Sequence, residues 1–361
     1  MVTSSKSTDA VKKRNFYKEW VLSQGIPVIE GYFVDDVNSL KLEPWEQKGG
    51  DGAIITLIGA GESNDAYVCE IPPGKNLKPE RHIYEEMIFI LKGRGATTVW
   101  VDGSPKHTFE WQEGSLFAPP LNAWHQLHNG QGDAPVRLLG VTSAPLVMNL
   151  YHNLDFVFNN PFVFKDRYQP RADYFSAEGK MYVGRVWESN FIPDVINFRL
   201  QEWKERGGGG TNVNFELSDN TMAAHSSEFS VGTYKKAHRH GPGAHVTILN
   251  GKGYTLMWPE GGKKHRFDWK PGSVVVPPEM WWHQHFNVGK IPVRYLALRW
   301  GSEKNYFPVA QTEEMLKDRR EGGHQIEYED EDPEVREWFE KALAEEGVES
   351  RMDQFFTKRS A

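Results

Sequence analysis

Three histidines, His238, His240 and His245, fall within eight positions of one another in the stretch KKAHRHGPGAHVTILNGKG, and His283 and His285 follow in WWHQHFN. Histidines at i and i+2 on a strand project from one face, so His238 and His240 can converge on a single point. His283 comes after a glycine turn, a strand and a Pro-Pro pair, a path that can return a third imidazole to the same interior. Three neutral imidazoles suit Fe, Zn, Cu or Ni and leave positions open for substrate and oxygen. His238, His240 and His283 are therefore the expected metal ligands. His245 either faces away on the next strand or joins them as a fourth ligand. His285, two residues past His283, shares its face on a regular strand and is placed to hydrogen-bond a bound substrate. Trp281 shares that face and is a candidate to stack on a substrate ring. Arg299, in the strand ALRW, is a candidate to hold a carboxylate in a bidentate grip. For both of these the bland alternative is a place in the core.

The elements that must position these groups occur twice. Residues 80–129 align without a gap onto residues 238–287 at a constant offset (240 − 82 = 158; 283 − 125 = 158), with 21 identities over 50 positions. The matches include Gly93/Gly251, Gly95/Gly253, Trp111/Trp269, Gly114/Gly272, both Pro-Pro pairs, and Trp124-His125-Gln126 against Trp282-His283-Gln284. So long a period indicates a duplicated domain rather than a repeat array. Within each copy, IFILKGRGATTVWV and VTILNGKGYTLMW are β-branched and aromatic runs broken by Gly-x-Gly, which fits a hairpin or bulge. FEWQEGSLFAPP and FDWKPGSVVVPP read as strand, turn and strand, ended by prolines that cannot donate to a ladder. Helices are expected only outside the repeats, over 12–24 and over 333–346, where Pro333 stands near N1. Residues 151–210 read as an aromatic-rich connector closed by a flexible run, Gly207 to Gly210.

Composition narrows the function. The chain has 361 residues, enough for two cores, and 13 Trp, 34 Gly and 21 Pro favour short strands closing around aromatic interiors. No apolar run reaches the ~18–20 residues of a membrane span. A net charge of −7 with no basic block argues against nucleic acid. One cysteine, Cys69, excludes an internal disulfide framework and fits a reducing cytoplasm. The N-terminus MVTSSKSTDAVKKRNF lacks the apolar segment of a secretory signal.

With two motif pairs at one offset, the chain resembles the cupin superfamily in its two-domain, bicupin form. His238 and His240 match the H-x-H of the first family motif, Gly251 its closing glycine, and His283 with Asn287 the end of the second. The resemblance implies an all-β fold: two double-stranded β-helix (jelly-roll) barrels with helical N- and C-terminal extensions, each barrel enclosing a metal site. The expected organisation is a helical extension over 1–50, a first barrel over 51–150, the connector over 151–210, a second barrel with the main metal site over 211–303, and an acidic, helical tail over 304–361. Most metal-binding cupins carry a glutamate seven residues before the closing glycine. That position is Glu86 in the first copy and Ala244 in the second (93 − 7 = 86; 251 − 7 = 244). The second copy therefore resembles the three-histidine ring-cleaving dioxygenases of the gentisate type, although those hold their iron in the N-terminal cupin. In the first copy Glu80 replaces the leading histidine, while His82, Glu86 and His125 fall at ligand positions. This is either a second metal site or an ion-paired strand end beside Glu85 and Arg81.

The resemblance implies a cytoplasmic, homo-oligomeric Fe(II) dioxygenase taking O2 and a small aromatic or enolisable substrate. The alternative is a non-oxidative metal enzyme (decarboxylase, isomerase, lyase or hydrolase) using Mn, Zn or Ni. A second alternative is a ligand-binding bicupin without chemistry.

Overall fold

Alternation of buried and exposed side chains turns the repeated segments into strands. In His107–Gln112, Phe109 and Trp111 face inward while Thr108, Glu110 and Gln112 face solvent, a two-residue period that leaves one side of the strand dry. The computed structural model describes residues 13–307 and 313–356. The first barrel consists of β1 (Gly50–Leu57), β2 (Asp65–Ile71), β3 (Glu86–Lys92), β4 (Arg94–Trp100), β5 (His107–Gln112), β6 (Leu116–Phe117), β7 (Trp124–Asn129) and β8 (Val136–Thr142). The larger sheet runs β1-β2-β8-β3-β6, and β7-β4-β5 forms the smaller one. The second barrel repeats this with β9 (Thr211–Glu216), β10 (Met222–Phe229), β11 (Ala237–His238), β12 (His245–Asn250), β13 (Gly253–Trp258), β14 (His265–Trp269), β15 (Val274–Val275), β16 (Trp282–Asn287) and β17 (Val293–Trp300). Its larger sheet contains β9-β10-β17-β12-β15, and its smaller sheet β14-β13-β16-β11 ends on β18 (Gln325–Ile326), contributed by the C-terminal segment. The expected all-β, two-jelly-roll architecture is the one observed.

Gly93 and Gly251, the closing glycines of the repeat, turn β3 into β4 and β12 into β13 with φ of 94° and 87°. A Cβ there would lie 2.9 Å from Val136 or 2.6 Å from Val293, so position and hand both require glycine. Between the barrels, the two larger sheets pack face to face through Met87, Phe89, Leu139 and Val141 against Phe215, Ala224, Leu296 and Leu298.

Three sequence expectations change. The N-terminal extension has a helix, α1 (Phe16–Ser23), but also Phe33–Val34, which crosses over to pair with β15 of the second barrel. Residue 12, where that helix was expected to begin, lies outside the described residues. The connector supplies Phe191–Ile192 to β6 of the first barrel, and Val186–Glu188 to β9 of the second. Each barrel's open edge is thus capped by chain from outside its repeat, which removes unpaired backbone groups. Gly207–Gly210 is a packed corner rather than a flexible run. Gly207, Gly208 and Gly209 take φ of 71°, 64° and 63°, and a Cβ on Gly207 would meet the Tyr328 hydroxyl at 2.2 Å. The tail helix α2 (Pro333–Glu346) forms as expected, capped by Asp332, and buries Val335, Phe339 and Leu343 against the small sheet of the second barrel.

Candidate metal centres

In the second barrel β11 and β16 are hydrogen-bonded neighbours with His238 directly opposite His283. That register brings their imidazole centroids to 4.1 Å, and His240 lies 4.7 Å from His283. One ligand atom from each of the three falls within 4.8 Å of the others. The Nδ1 atoms face backbone carbonyls: Lys236 at 3.3 Å from His238, Gly241 at 2.7 Å from His240 and Trp281 at 3.2 Å from His283. With Nδ1–H donated to a carbonyl, each Nε2 lone pair points at the shared centre, the usual way a ligand histidine is oriented. Burial lowers the pKa of all three, His240 to about 4. They are therefore neutral at pH 7, and the donor set fits a borderline divalent ion.

The first barrel repeats the geometry with other chemistry. Glu80 lies opposite His125, and Glu80, His82, Glu86 and His125 bring one ligand atom each within 4.8 Å. His82 and His125 likewise present Nδ1 to the carbonyls of Tyr84 and Ala123, at 2.8 and 3.2 Å. Glu80 Oε2, His82 Nε2, Glu86 Oε2 and His125 Nε2 are buried without a hydrogen-bond partner. Four orphaned buried atoms aimed at one centre fit a cation. The outer oxygens are satisfied: Lys48 Nζ is 2.6 Å from Glu80 Oε1 and 3.8 Å from Glu86 Oε1, and the Tyr67 hydroxyl donates to Glu86 Oε1 at 2.6 Å. Against burial, Lys48 and His125 hold Glu80 down to about 2. Against burial again, Glu80 and Glu86 raise His125 to about 9. Beside Lys48 and Tyr67, which hold the outer oxygens, the free space is about 20 Å³, lined also by Tyr17 and Trp20 of α1 and by Tyr84. The four orphaned atoms fit a metal, and that space is too small for a substrate.

The triad of the second barrel opens into a cavity of about 110 Å³. Larger depressions of about 590 and 720 Å³ lie on outer surfaces away from both centres, so size alone does not find the chemistry. The cavity wall carries four Lys or Arg side chains (Arg185, Arg206, Lys235 and Arg299) against one exposed carboxylate, Glu303. Lys235 Nζ donates to the Ser227 hydroxyl and, at 3.1 Å, to that of Tyr295. Arg299 donates from Nε to His225 Nδ1 at 2.9 Å and from Nη1 to the carbonyls of Trp300 and Gly301. Burial lowers Arg299 to about 10 and also lowers Lys235.

The remaining expected residues are dispersed. His245 is buried on β12 and rests its Nδ1 on the Gly243 carbonyl at 3.2 Å. It stands outside the triad's cluster, because one step along a strand turns a side chain to the opposite face. His285 is buried beside Tyr295, with ring centroids 5.3 Å apart, 5.8 Å from His283, and pairs Nδ1 with Thr255 Oγ1 at 2.8 Å. Trp281 is not in the cavity wall; it packs on Tyr32 at 5.9 Å and joins Phe267 over the barrel end. The Trp281 stacking role is thereby corrected to packing, since the end of the barrel lets N-terminal chain cover the ring. Arg206, Lys235, Arg185, His225, Trp203 and Tyr295 were not anticipated. A usable signal existed: the offset of 158 extends backward to Trp45/Trp203 and Lys48/Arg206 (203 − 45 = 158; 206 − 48 = 158).

The family model described as a cupin domain matches residues 67–142. Among solved structures, the chain is similar to the oxalate decarboxylase of Lactobacillus farciminis in a formate complex, at 14% identity and TM-score 0.51, covering 76% of this chain and 87% of that one. The fold is that of a bicupin. Further bicupin likenesses include an oxalate decarboxylase studied for its substrate binding mode, at 16% identity and TM-score 0.51 over 84% of this chain and 88% of that one. Another is a Bacillus subtilis oxalate decarboxylase studied for its Mn(II) centres, at 14% identity and TM-score 0.50 over 84% and 87%. No curated protein matches the sequence. These likenesses establish the bicupin fold; the expected gentisate-type relationship receives no support from them. Among the described residues, no helix is long and apolar enough to cross a membrane.

Proposed function

We propose that the protein is a divalent-metal enzyme acting without oxygen on a small carboxylic acid, with decarboxylation the reaction that fits the site best. One observation carries this reading: a ligand set free of carboxylates opens into a small cavity walled by Lys235 and Arg299. Three neutral ligands leave a divalent ion its full charge, so an anionic substrate supplies the missing neutralisation. The decarboxylase names among the structural neighbours, one of them with Mn(II) centres, favour the non-oxidative alternative over a dioxygenase and Mn over Fe.

When bound by His238, His240 and His283, the ion would supply Lewis acidity toward a substrate oxygen. The chain's own groups do the rest. Lys235 and Arg299 draw the acid into the cavity and hold it by charge in a site that excludes bulk water. Loss of CO2 breaks a C–C bond and leaves its electron pair on the remaining carbon, which must take up a proton. The Tyr295 hydroxyl lines the cavity and contacts Lys235 Nζ at 3.1 Å, so Tyr295 donates that proton and Lys235 replaces it. Burial holds His285 down to about 3, and the neutral ring backs Tyr295, 5.3 Å away between centroids, rather than acting as a proton source.

The test is reconstitution of the full chain with Mn(II), Zn(II) or Fe(II), followed by oxygen-free incubation with small dicarboxylates and keto acids. CO2 release under anaerobic conditions is the expected result. A second reading, an Fe(II) dioxygenase, keeps the carboxylate-free triad as its specific support. Turnover that appears only with Fe(II) and consumes O2 would transfer the assignment to it. Metal and acid binding with no product would leave a ligand-binding protein.

A further inference from the structure

One wall of the cavity is under-satisfied in a way the metal does not explain. Trp203 sits at the centre of three cations, with Arg185 5.2 Å, Arg206 5.4 Å and Lys235 5.4 Å from its ring. Arg206 is fully buried, and its recorded partners are neutral: the Met315 carbonyl at 3.2 Å and the Gln325 carboxamide at 2.9 Å. Arg185 Nε, Arg206 Nε and Trp203 Nε1 are buried without a hydrogen-bond partner, and all three residues line the cavity. All three orphans are donors. Buried donors left empty are destabilising, and an oxyanion would satisfy them together.

Arg185 adds an independent mark. It is a non-glycine residue at φ of 67° in the turn between Lys180–Tyr182 and Val186–Glu188, and its carbonyl is fixed by Asn214 N at 2.8 Å. The left-handed conformation is unfavourable for an L-residue and persists where the surroundings hold it. Here it turns the guanidinium onto Trp203.

The first barrel holds the same element with its acid groups built in. Trp45 and Lys48 stand at the positions of Trp203 and Arg206 (203 − 45 = 158; 206 − 48 = 158), with Lys48 Nζ 5.5 Å from the Trp45 ring. There the cation grips Glu80 and Glu86, and Trp45 Nε1 donates to Gln24 at 2.9 Å. In the second barrel the matching positions are His238 and Ala244 (80 + 158 = 238; 86 + 158 = 244), so any acid must come from a ligand.

We propose that Arg185, Trp203 and Arg206 form a second anion subsite, so that the cavity takes a small dianionic acid with one acid group at the three-histidine centre and the other at this corner. The proposal rests on the triad being the reaction centre. It deepens that reading by fixing the substrate class: two acid groups on a short backbone, not a monoacid or an aromatic alcohol.

Calorimetric titration of the full chain with malonate, monomethyl malonate and acetate, in metal-loaded and chelator-treated form, tests it. Malonate is expected to bind at least about tenfold more tightly than its monomethyl ester, because only the diacid fills both ends. Arg185→Gln, on a half-exposed turn, is expected to bring that ratio below about threefold, and Arg206→Gln to do the same where melting curves show it folded. The ratio should persist, in weaker binding, after metal removal. Phosphonoacetate in place of malonate tells whether the second acid is phosphoryl or carboxyl, the tighter ligand naming it. Equal binding of malonate and its ester, or an unchanged ratio in Arg185→Gln, would overturn the subsite. Failure of the metal reading looks different: no metal uptake and no turnover, with the malonate preference intact.

Discussion

The two barrels share strand order, ligand register and an aromatic–cation pair, yet one is filled and the other is open. In the N-terminal barrel Glu80 and Glu86 answer Lys48, Tyr67 ties down Glu86, and α1 leaves about 20 Å³ of space. In the C-terminal barrel His238 and Ala244 replace those carboxylates, His225 and Arg299 occupy the side where Tyr67 stands in the first, and about 110 Å³ remains. The lesson concerns charge. A barrel that supplies its own anions has satisfied its cations and lost its vacancy. A barrel that leaves cations and donors unanswered carries a stability cost that a ligand can remove.

The largest test of this contrast exchanges a ligand in each barrel. His283→Ala is expected to remove the C-terminal metal and lower turnover by roughly three orders of magnitude, the several kcal/mol of a lost Lewis acid. His125→Ala should leave turnover per folded molecule within about threefold, since its barrel has no room for substrate. Metal analysis and steady-state kinetics on both variants decide it, and the reverse pattern would exchange the two roles.

Next in size is a stability contrast in metal-free protein. Lys48→Met strands two buried carboxylates and should destabilise the chain by about 3–5 kcal/mol. Arg206→Met removes a buried cation whose recorded partners are neutral and should change stability by no more than about 1 kcal/mol. Urea unfolding of both proteins gives the comparison, and equal losses would refute it.

A smaller effect is expected at His285. In the first barrel Leu127 takes its place (285 − 158 = 127) above the same Trp–Thr hydrogen bond, Trp111 to Thr97 at 2.9 Å against Trp269 to Thr255 at 3.0 Å. His285→Leu should therefore fold and keep its metal while kcat drops about threefold to tenfold, the worth of one polar neighbour beside Tyr295. Unchanged kcat would reduce His285 to packing.

The finest test uses pH on metal-free protein. His125 is raised from 6.5 to about 9, so its contribution is complete below 6.5 and lost as pH rises through 9. Glu80 is lowered from 4.5 to about 2, so its contribution is present above 4.5 and lost as pH falls through 2. His240 and His245 are lowered from 6.5 to about 4 by burial, so their neutral forms stabilise the second barrel above 6.5, an effect lost as pH falls through 4. Hydrogen exchange should therefore show β7, which carries His125, loosening from pH 6.5 to 9 and β12, which carries His245, loosening from 6.5 to 4. A common pH profile for the two strands would mean that the charge contrast does not govern stability.

Much of the centre was legible because strand periodicity is local. The i, i+2 spacing of His238 and His240 and the fixed offset to His82 and His125 require only that both segments be strands. What escaped lay where long-range contact decides. Trp281 has the right parity for the site, but Tyr32, almost 250 positions earlier, covers it (281 − 32 = 249). Gly207–Gly210 reads as a linker by composition, and only the approach of Tyr328 makes it a packed corner.

Taken alone, the sequence determined the duplication, the all-β fold and the two candidate ligand sets, a quartet with Glu86 and a triad with Ala244 in that place, since these follow from repeat spacing and residue type. Only the tertiary structure decided which barrel is filled and which is cationic. Arg185, Arg206, Lys235 and Arg299 come from four separate elements across more than a hundred residues (299 − 185 = 114). Their charges act together only after folding brings them around one cavity, where the low dielectric of the barrel interior strengthens each one.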